Sequence, residues 1–234
     1  MKIKNFLLDI LFPKFCFNCK KEGIYLCEDC KSCLEISENV FCLCETPQRP
    51  SFGGKCPKCS FKKLDGLYFA LSYQNKTVKK LIHQFKYEPF IKDLSENLAD
   101  LIIAHFQTLN KGEKDFEGKI LIPIPLTKKK LKNRGFNQAE EIAKKLSEKL
   151  KIPVIADCLI KVKENLPQME LSLKERQENI KGVFEIIKKE KIQGKKIMLV
   201  DDVYTTGSTM EEAAKTLKES EAKEVFGVVV ARGS

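Results

Sequence analysis

No stretch of this 234-residue chain approaches the roughly 18–20 consecutive apolar residues that cross a bilayer, so nothing in it reads as a membrane span. The opening residues are not expected to form a secretory leader either. The opening Met1–Pro13 run is broken by Asp9, has no small-residue cleavage site and leads at once into cysteines, which suits a short amphipathic helix better. Arginine is scarce: Arg49, Arg134, Arg176 and Arg232 are four cations among 42 Lys+Arg. A chain that otherwise uses lysine and still places arginine at loop positions suggests a need for a planar, bidentate fork there. Few aromatics lie among the basic residues, which gives little basis for a stacking platform for bases. The formal charge is +10, and two all-thiolate zinc sites would lower it to about +6. Because the lysines are interleaved with glutamate, that charge permits nucleic-acid or phosphate partners without specifying one.

What the chain does have is cysteine, ten in all. Cys16/Cys19, Cys27/Cys30, Cys42/Cys44 and Cys56/Cys59 form close pairs within the first sixty positions. Without a leader they argue for metal in a reducing, cytoplasmic compartment rather than disulfides. Two residues between cysteines let both sulfurs reach one Zn²⁺, and two pairs complete a tetrahedron. Taken in order, the pairs make a double zinc ribbon; a cross-braced arrangement would join the first pair to the third and the second to the fourth, and the spacing allows both. All-thiolate sites keep no open coordination position, so the zinc is structural. Cys33 and Cys158 are left over, the first a spare thiol and the second a small buried hydrophobe.

This module is expected to occupy residues 1–63, with an α/β domain over 64–234. In the second part a strand is expected over Leu64–Tyr73, and the pattern Val78, Leu81, Ile82, Phe85 gives a helix over Thr77–Lys86. Lys79, Lys80, His83 and Lys86 form its basic face. His83 and His105 suggest no catalytic partner. A helix over Leu94–Leu109 and a buried strand from Lys119 follow. The strand exits through Ile122-Pro-Ile-Pro-Leu126 into a basic loop, Thr127–Gly135. Asn137 caps the next helix, and Glu140 would complete a capping box. Another strand is expected over Val154–Val162, then a long segment, Lys163–Gly182, that could close over a ligand as a lid.

Most informative is Ile197-Met-Leu-Val-Asp201-Asp202-Val-Tyr-Thr205-Thr206-Gly207-Ser208-Thr209. An apolar strand runs into two adjacent carboxylates, then a hydroxyl-rich loop with one glycine, then a helix. Paired carboxylates can accept hydrogen bonds from the two ribose hydroxyls and help to hold Mg²⁺. The backbone N–H groups of the loop, its Thr and Ser hydroxyls and the helix N-terminus suit a phosphate dianion. Here the chain resembles the phosphoribosyltransferases that bind phosphoribosyl pyrophosphate (PRPP), with Asp201, Asp202, Thr205, Thr206, Gly207, Ser208 and Thr209 as the binding loop. Lys128, Arg134 and Arg176 are the pyrophosphate and lid candidates.

The whole order of motifs is similar to the ComF family: Leu7-Leu-Asp9 and Leu11-Phe-Pro13, four cysteine pairs, Arg134-Gly-Phe-Asn-Gln138, the spacing of Gln168, Arg176, Asn179, Gly182 and Phe184, and the Asp-Asp loop. The resemblance implies a type I phosphoribosyltransferase-like domain with a mainly parallel sheet behind a double zinc ribbon. It also implies Mg²⁺ with PRPP, a link to natural transformation at the inner face of the membrane, and partners among single-stranded DNA and competence proteins such as a DNA-uptake helicase. One departure is Cys42-x-Cys44, where the family has two intervening residues; the tighter chelate puts the second zinc in question. No obvious hood for a nucleobase is expected from the residues given after the strand Glu224–Ala231. An enzyme with an unknown acceptor, a non-catalytic DNA or protein adaptor and a PRPP-responsive regulator are therefore all consistent with the sequence.

Overall fold

Strands rich in β-branched residues form the centre of the molecule. The strands are β1 (Gly66–Ser72), β2 (Lys119–Pro123), β3 (Leu159–Lys161), β4 (Phe184–Ile186), β5 (Lys196–Tyr204) and β6 (Glu224–Arg232). Four make a parallel sheet in the order β1-β6-β5-β2, while β3 and β4 pair antiparallel as a separate two-stranded sheet. The computed structural model describes residues 13–50, 55–88, 90–163 and 182–233. The N-terminal amphipathic helix and the positions Gln168, Leu171, Arg176 and Asn179 lie outside the described residues.

The helices are α1 (Glu28–Ser32), α2 (Lys76–Lys86), α3 (Leu94–Thr108), α4 (Lys128–Arg134), α5 (Gln138–Leu150) and α6 (Ser208–Glu219). Asn75 starts α2 by accepting the Thr77 and Val78 N–H groups at 2.9 and 3.2 Å, a cap of the kind worth about 1 kcal/mol. Strand residues alternate between the faces of the sheet. Met198, Val200, Val228 and Val230 meet Leu81, Phe85, Leu98, Phe106 and Ile142 on one side. Ile197, Leu199, Val225 and Val229 meet Met210, Ala213 and Leu217 on the other. Helix α5, which follows β2 and α4, therefore helps to cover one face, and α6, after β5, the other. The gap between these neighbouring strands is the switch point at which open parallel sheets bind ligands.

The cysteine-rich region is packed into these same cores. Cys16, Cys27 and Cys30 lie with the α2/α3 face, and Cys42 and Cys59 with the α6 face. The Ser37 N–H donates to the Ala70 carbonyl at 2.8 Å, and the Ser37 carbonyl lies 2.6 Å from Nδ1 of buried His105.

Three expectations change. The basic loop Thr127–Gly135 is largely the helix α4: Thr127 accepts the Lys130 N–H at 3.4 Å, and Gly135 ends the helix at φ +76°. None of its residues is buried, so it left no apolar period to read. The strand over Val154–Val162 shrinks to Leu159–Lys161, with Val154 making one parallel bridge to Leu121. Asp157 between them is drawn out to Lys188 and Lys191. Asn137 caps α5 through the Ala139 N–H, as expected, while Glu140 pairs with Lys144 instead of closing a box.

Candidate functional site

β5 extends further than its apolar run suggested, so Asp201 and Asp202 lie within the strand and their side chains point to opposite faces. Asp202 is 4% exposed, and its Oδ1 lies 2.8 Å from Nζ of Lys86 in the last turn of α2. Burial works against the charge on Lys86, but Asp202 and then Asp201 more than offset it and hold its pKa above the ordinary lysine value. Asp201 accepts the Asp202 N–H at 2.9 Å. Burial, then the adjacent Asp202 charge, pushes Asp201 up to about 7, against the pull of Lys86 and Lys161. The pair is thus asymmetric, one carboxylate neutralised by a lysine and the other short of positive charge. The helical pattern grouped Lys86 with Lys79, Lys80 and His83; the structure turns it onto the acids.

The turn after β5 is built around Gly207, which sits at φ +77° and caps α6. A Cβ there would lie 2.1 Å from the Tyr204 hydroxyl, so both backbone and space demand glycine. Thr206 Oγ1 and Ser208 Oγ are 3.0 Å apart, and the Ser208 N–H donates to Thr206 Oγ1 at 3.4 Å. The hydroxyls of Thr206 and Ser208 are thereby drawn together beside the first N–H groups of α6, an arrangement suited to an anion.

Opposite this turn, the Asn137 side chain donates to the Ile124 carbonyl at 3.0 Å and fixes the exit of β2. Arg134 donates to Gln138 Oε1 at 3.1 Å and lies 5.6 Å from the Tyr87 ring centroid. Gln138 in turn donates to the Phe85 carbonyl at 3.2 Å. Between the two sides is a cleft of about 280 Å³ lined by Asp201, Asp202, Thr205 and Thr209, with Lys86, Lys130, Arg134 and Lys161 supplying positive charge. Lys128 borders instead an adjoining, more apolar recess of about 590 Å³ with Leu126, Leu131 and Val162. Arg176 lies outside the described residues. Lys130 and Lys161 escaped the sequence reading because one looked like any lysine of a basic run and the other sits some forty residues before the acids.

A third cleft, about 670 Å³, opens where the first cysteine pairs meet α2. Phe17 and Tyr73 line it with Lys76, Lys79, Lys80 and His83. Aromatics do therefore stand among the basic residues, brought there by the fold from distant sequence positions.

The cysteines cluster in chain order. The sulfurs of Cys16, Cys19, Cys27 and Cys30 lie within 4.8 Å of one another, as do those of Cys42, Cys44, Cys56 and Cys59. Cys19–Cys27 and Cys44–Cys56 are 3.5 Å apart and Cys56–Cys59 3.7 Å. Four thiolates about a Zn²⁺ would stand about 3.8 Å apart, so both groups fit the ion, including the one with the short Cys42-x-Cys44 link. N–H groups aim at the sulfurs: Gln48 at Cys42 (3.2 Å), Cys56 at Cys59 (3.3 Å) and Asn18 Nδ2 at Cys30 (3.4 Å). Donors of this kind support a thiolate ligand from the outer shell. Cys33 is exposed outside both groups; Cys158 is buried, and that burial pushes its thiol up to about 11.

Residues 131–234 match the phosphoribosyl transferase domain family. A protein named "Competence protein F" from Haemophilus influenzae is 27% identical over 215 residues, covering 92% of this chain and 82% of that protein. "Competence protein ComFC" of Bacillus subtilis is 29% identical over 204 residues, 83% of this chain and 78% of that one. "DNA utilization protein YhgH" of Escherichia coli K12 is 31% identical over 137 residues, 58% of this chain and 59% of that one.

Proposed function

We propose that this chain, a ComF-type protein joining a phosphoribosyl transferase domain to an N-terminal pair of Cys₄ clusters, binds Mg²⁺·PRPP and serves DNA uptake in natural competence. The observation that carries the reading is the meeting, at the switch point of the sheet, of the Asp201/Asp202 pair, the Gly207 turn and the Arg134 side of one cleft. Asp201 and Asp202 take the ribose hydroxyls. Thr205, Thr206, Gly207, Ser208 and Thr209 take the 5-phosphate, and Arg134 with Lys130 the pyrophosphate. Asp201, whose carboxyl is pushed up despite the pull of Lys86 and Lys161, suits a divalent ion nearby, and Mg²⁺ when bound would neutralise leaving-group charge. An acceptor nucleophile would then displace pyrophosphate from C1, with the apolar recess beside Leu126 and Leu131 offering room for it.

Calorimetric titration with Mg²⁺·PRPP tests this. Micromolar binding, on the order of −8 kcal/mol, is expected for the wild type and its loss for Asp201→Asn/Asp202→Asn. A folded, zinc-loaded wild type that binds nothing would overturn the reading. Pyrophosphate release on addition of a base, nucleoside or DNA separates transfer from sensing.

A second role, as a single-stranded-DNA adaptor, is favoured by the cleft of Phe17, Tyr73, Lys79 and Lys80, which offers both stacking and phosphate contacts. Binding there should weaken with salt, survive Asp201→Asn and fail in Lys79→Gln/Lys80→Gln.

A further inference from the structure

The two cysteine clusters pack into the cores on opposite faces of the sheet, and among the described residues only the second touches the machinery of the Gly207 turn. Arg232, at the end of β6, is paired in register with Tyr204 at the end of β5. Its side chain is 6% exposed. One guanidinium nitrogen donates to the Cys42 carbonyl at 2.7 Å and the other to the Cys44 carbonyl. The group also lies 5.4 Å from the Tyr204 ring centroid and 5.7 Å from that of Phe69. The Tyr204 ring is what a Cβ on Gly207 would strike, and its buried hydroxyl has no hydrogen-bond partner among the described residues. Two further ties join the same parts. The Gly233 N–H donates to the Tyr204 carbonyl at 2.8 Å. Glu211, in the first turn of α6, accepts the N–H groups of Lys63 and Leu64, just beyond Cys59.

A buried guanidinium requires a compensating negative charge. Among the described residues no carboxylate pairs with Arg232; the nearby ionisable groups are Tyr204 and the thiols of Cys42, Cys44 and Cys59. A loaded Cys₄ site has a net charge of about −2, and that supplies the counter-charge. The Cys-x-Cys departure also gains a reason, because the carbonyls of Cys42 and Cys44 both accept from one planar fork.

We propose that Arg232 is a positioning residue that uses the second Cys₄ centre, and not the first, to hold Tyr204 and through it the turn Thr205–Thr209. Metal loss at the second centre therefore loosens this turn, while loss at the first leaves it unchanged. The consequence for ligand affinity rests on the PRPP reading; the consequence for the turn does not.

The test is hydrogen exchange on ligand-free full-length protein, followed in peptides covering residues 203–210, with zinc counted by elemental analysis. Cys44→Ser and Cys19→Ser should each reduce the zinc content from two to one. Cys44→Ser and Arg232→Met should speed exchange in the turn by on the order of tenfold, with Cys19→Ser like wild type and Arg232→Lys between. Unchanged exchange in Cys44→Ser, or equal acceleration in both cysteine variants, overturns the proposal. Should Arg232→Met fail to fold, the paired cysteine variants and Arg232→Lys still decide it. A wild type that ignores Mg²⁺·PRPP would remove the PRPP reading and leave this result standing.

Discussion

Replacing Asp201 by asparagine removes a charge that the folded chain holds against its own stability. The carboxyl moves from 3.8 to about 7 on folding because burial and Asp202 oppose its ionisation more than Lys86 and Lys161 favour it. A folded-state pKa above the unfolded one means that the native protein binds the proton more tightly. The stabilising contribution is full below about pH 4 and is lost as pH rises towards about 7. At about 1.4 kcal/mol per pH unit, the loss reaches about 4 kcal/mol at most. Asparagine keeps the oxygen that accepts the Asp202 N–H and has nothing to ionise. In zinc-replete urea titrations of both proteins, the variant should gain about 2 kcal/mol on wild type between about pH 5.5 and pH 8, then level off. The pH response of the zinc sites cancels in this difference. A flat difference across the window would refute the reasoning and put the charge of Asp201 in contact with a compensating cation. The same proton predicts that Mg²⁺·PRPP affinity falls as pH drops below about 7, up to tenfold per unit, and calorimetry in two buffers should register proton release.

Gly207→Ala should abolish detectable phosphate-ligand binding while the protein stays folded by circular dichroism; Tyr204→Phe should not rescue it, since the added Cβ also lies 2.2 Å from the ring carbon Cζ. Lys86→Met leaves Asp202 buried without its cation and should destabilise by about 3 kcal/mol, partly recovered in Lys86→Met/Asp202→Asn, as denaturant midpoints will show. Asn137→Ala removes both the α5 cap and the tie to Ile124 and should lower stability by about 2 kcal/mol and weaken pyrophosphate binding.

The elements legible in the sequence were those with an unbroken period or an unusual residue. Val78, Leu81, Ile82 and Phe85 are all buried, as the helical spacing required, and the cysteine pairs assemble in chain order. Local pattern failed where tertiary context decides. The α4 segment carries no buried residue, so only its Thr127 and Gly135 ends mark it as helix. The helical wheel groups Lys86 with the basic face of Lys79, Lys80 and His83, because it does not show that β5 ends beside the last turn of α2. Arg232 looked like one arginine among four, since its role depends on Cys42, 190 positions earlier. The Cys-x-Cys spacing read as a weakness of the second site because the guanidinium that uses its carbonyls comes from the far end of the chain.

That separation also sets an order of events during synthesis. The first cysteine cluster has its nearer packing partners once β1, α2 and α3 have been made. The second is translated next yet must wait for β6. At about 5–20 residues per second, 190 residues take roughly 10 to 40 s. Through that interval Lys62 already reaches the Leu43 carbonyl, but the carbonyls of Cys42 and Cys44 lack their fork, and the turn after β5, once made, waits for β6. The last strand thus closes both at once, and a chain released short of Arg232 would retain every residue of the carboxylate cleft without the fork beneath its phosphate turn.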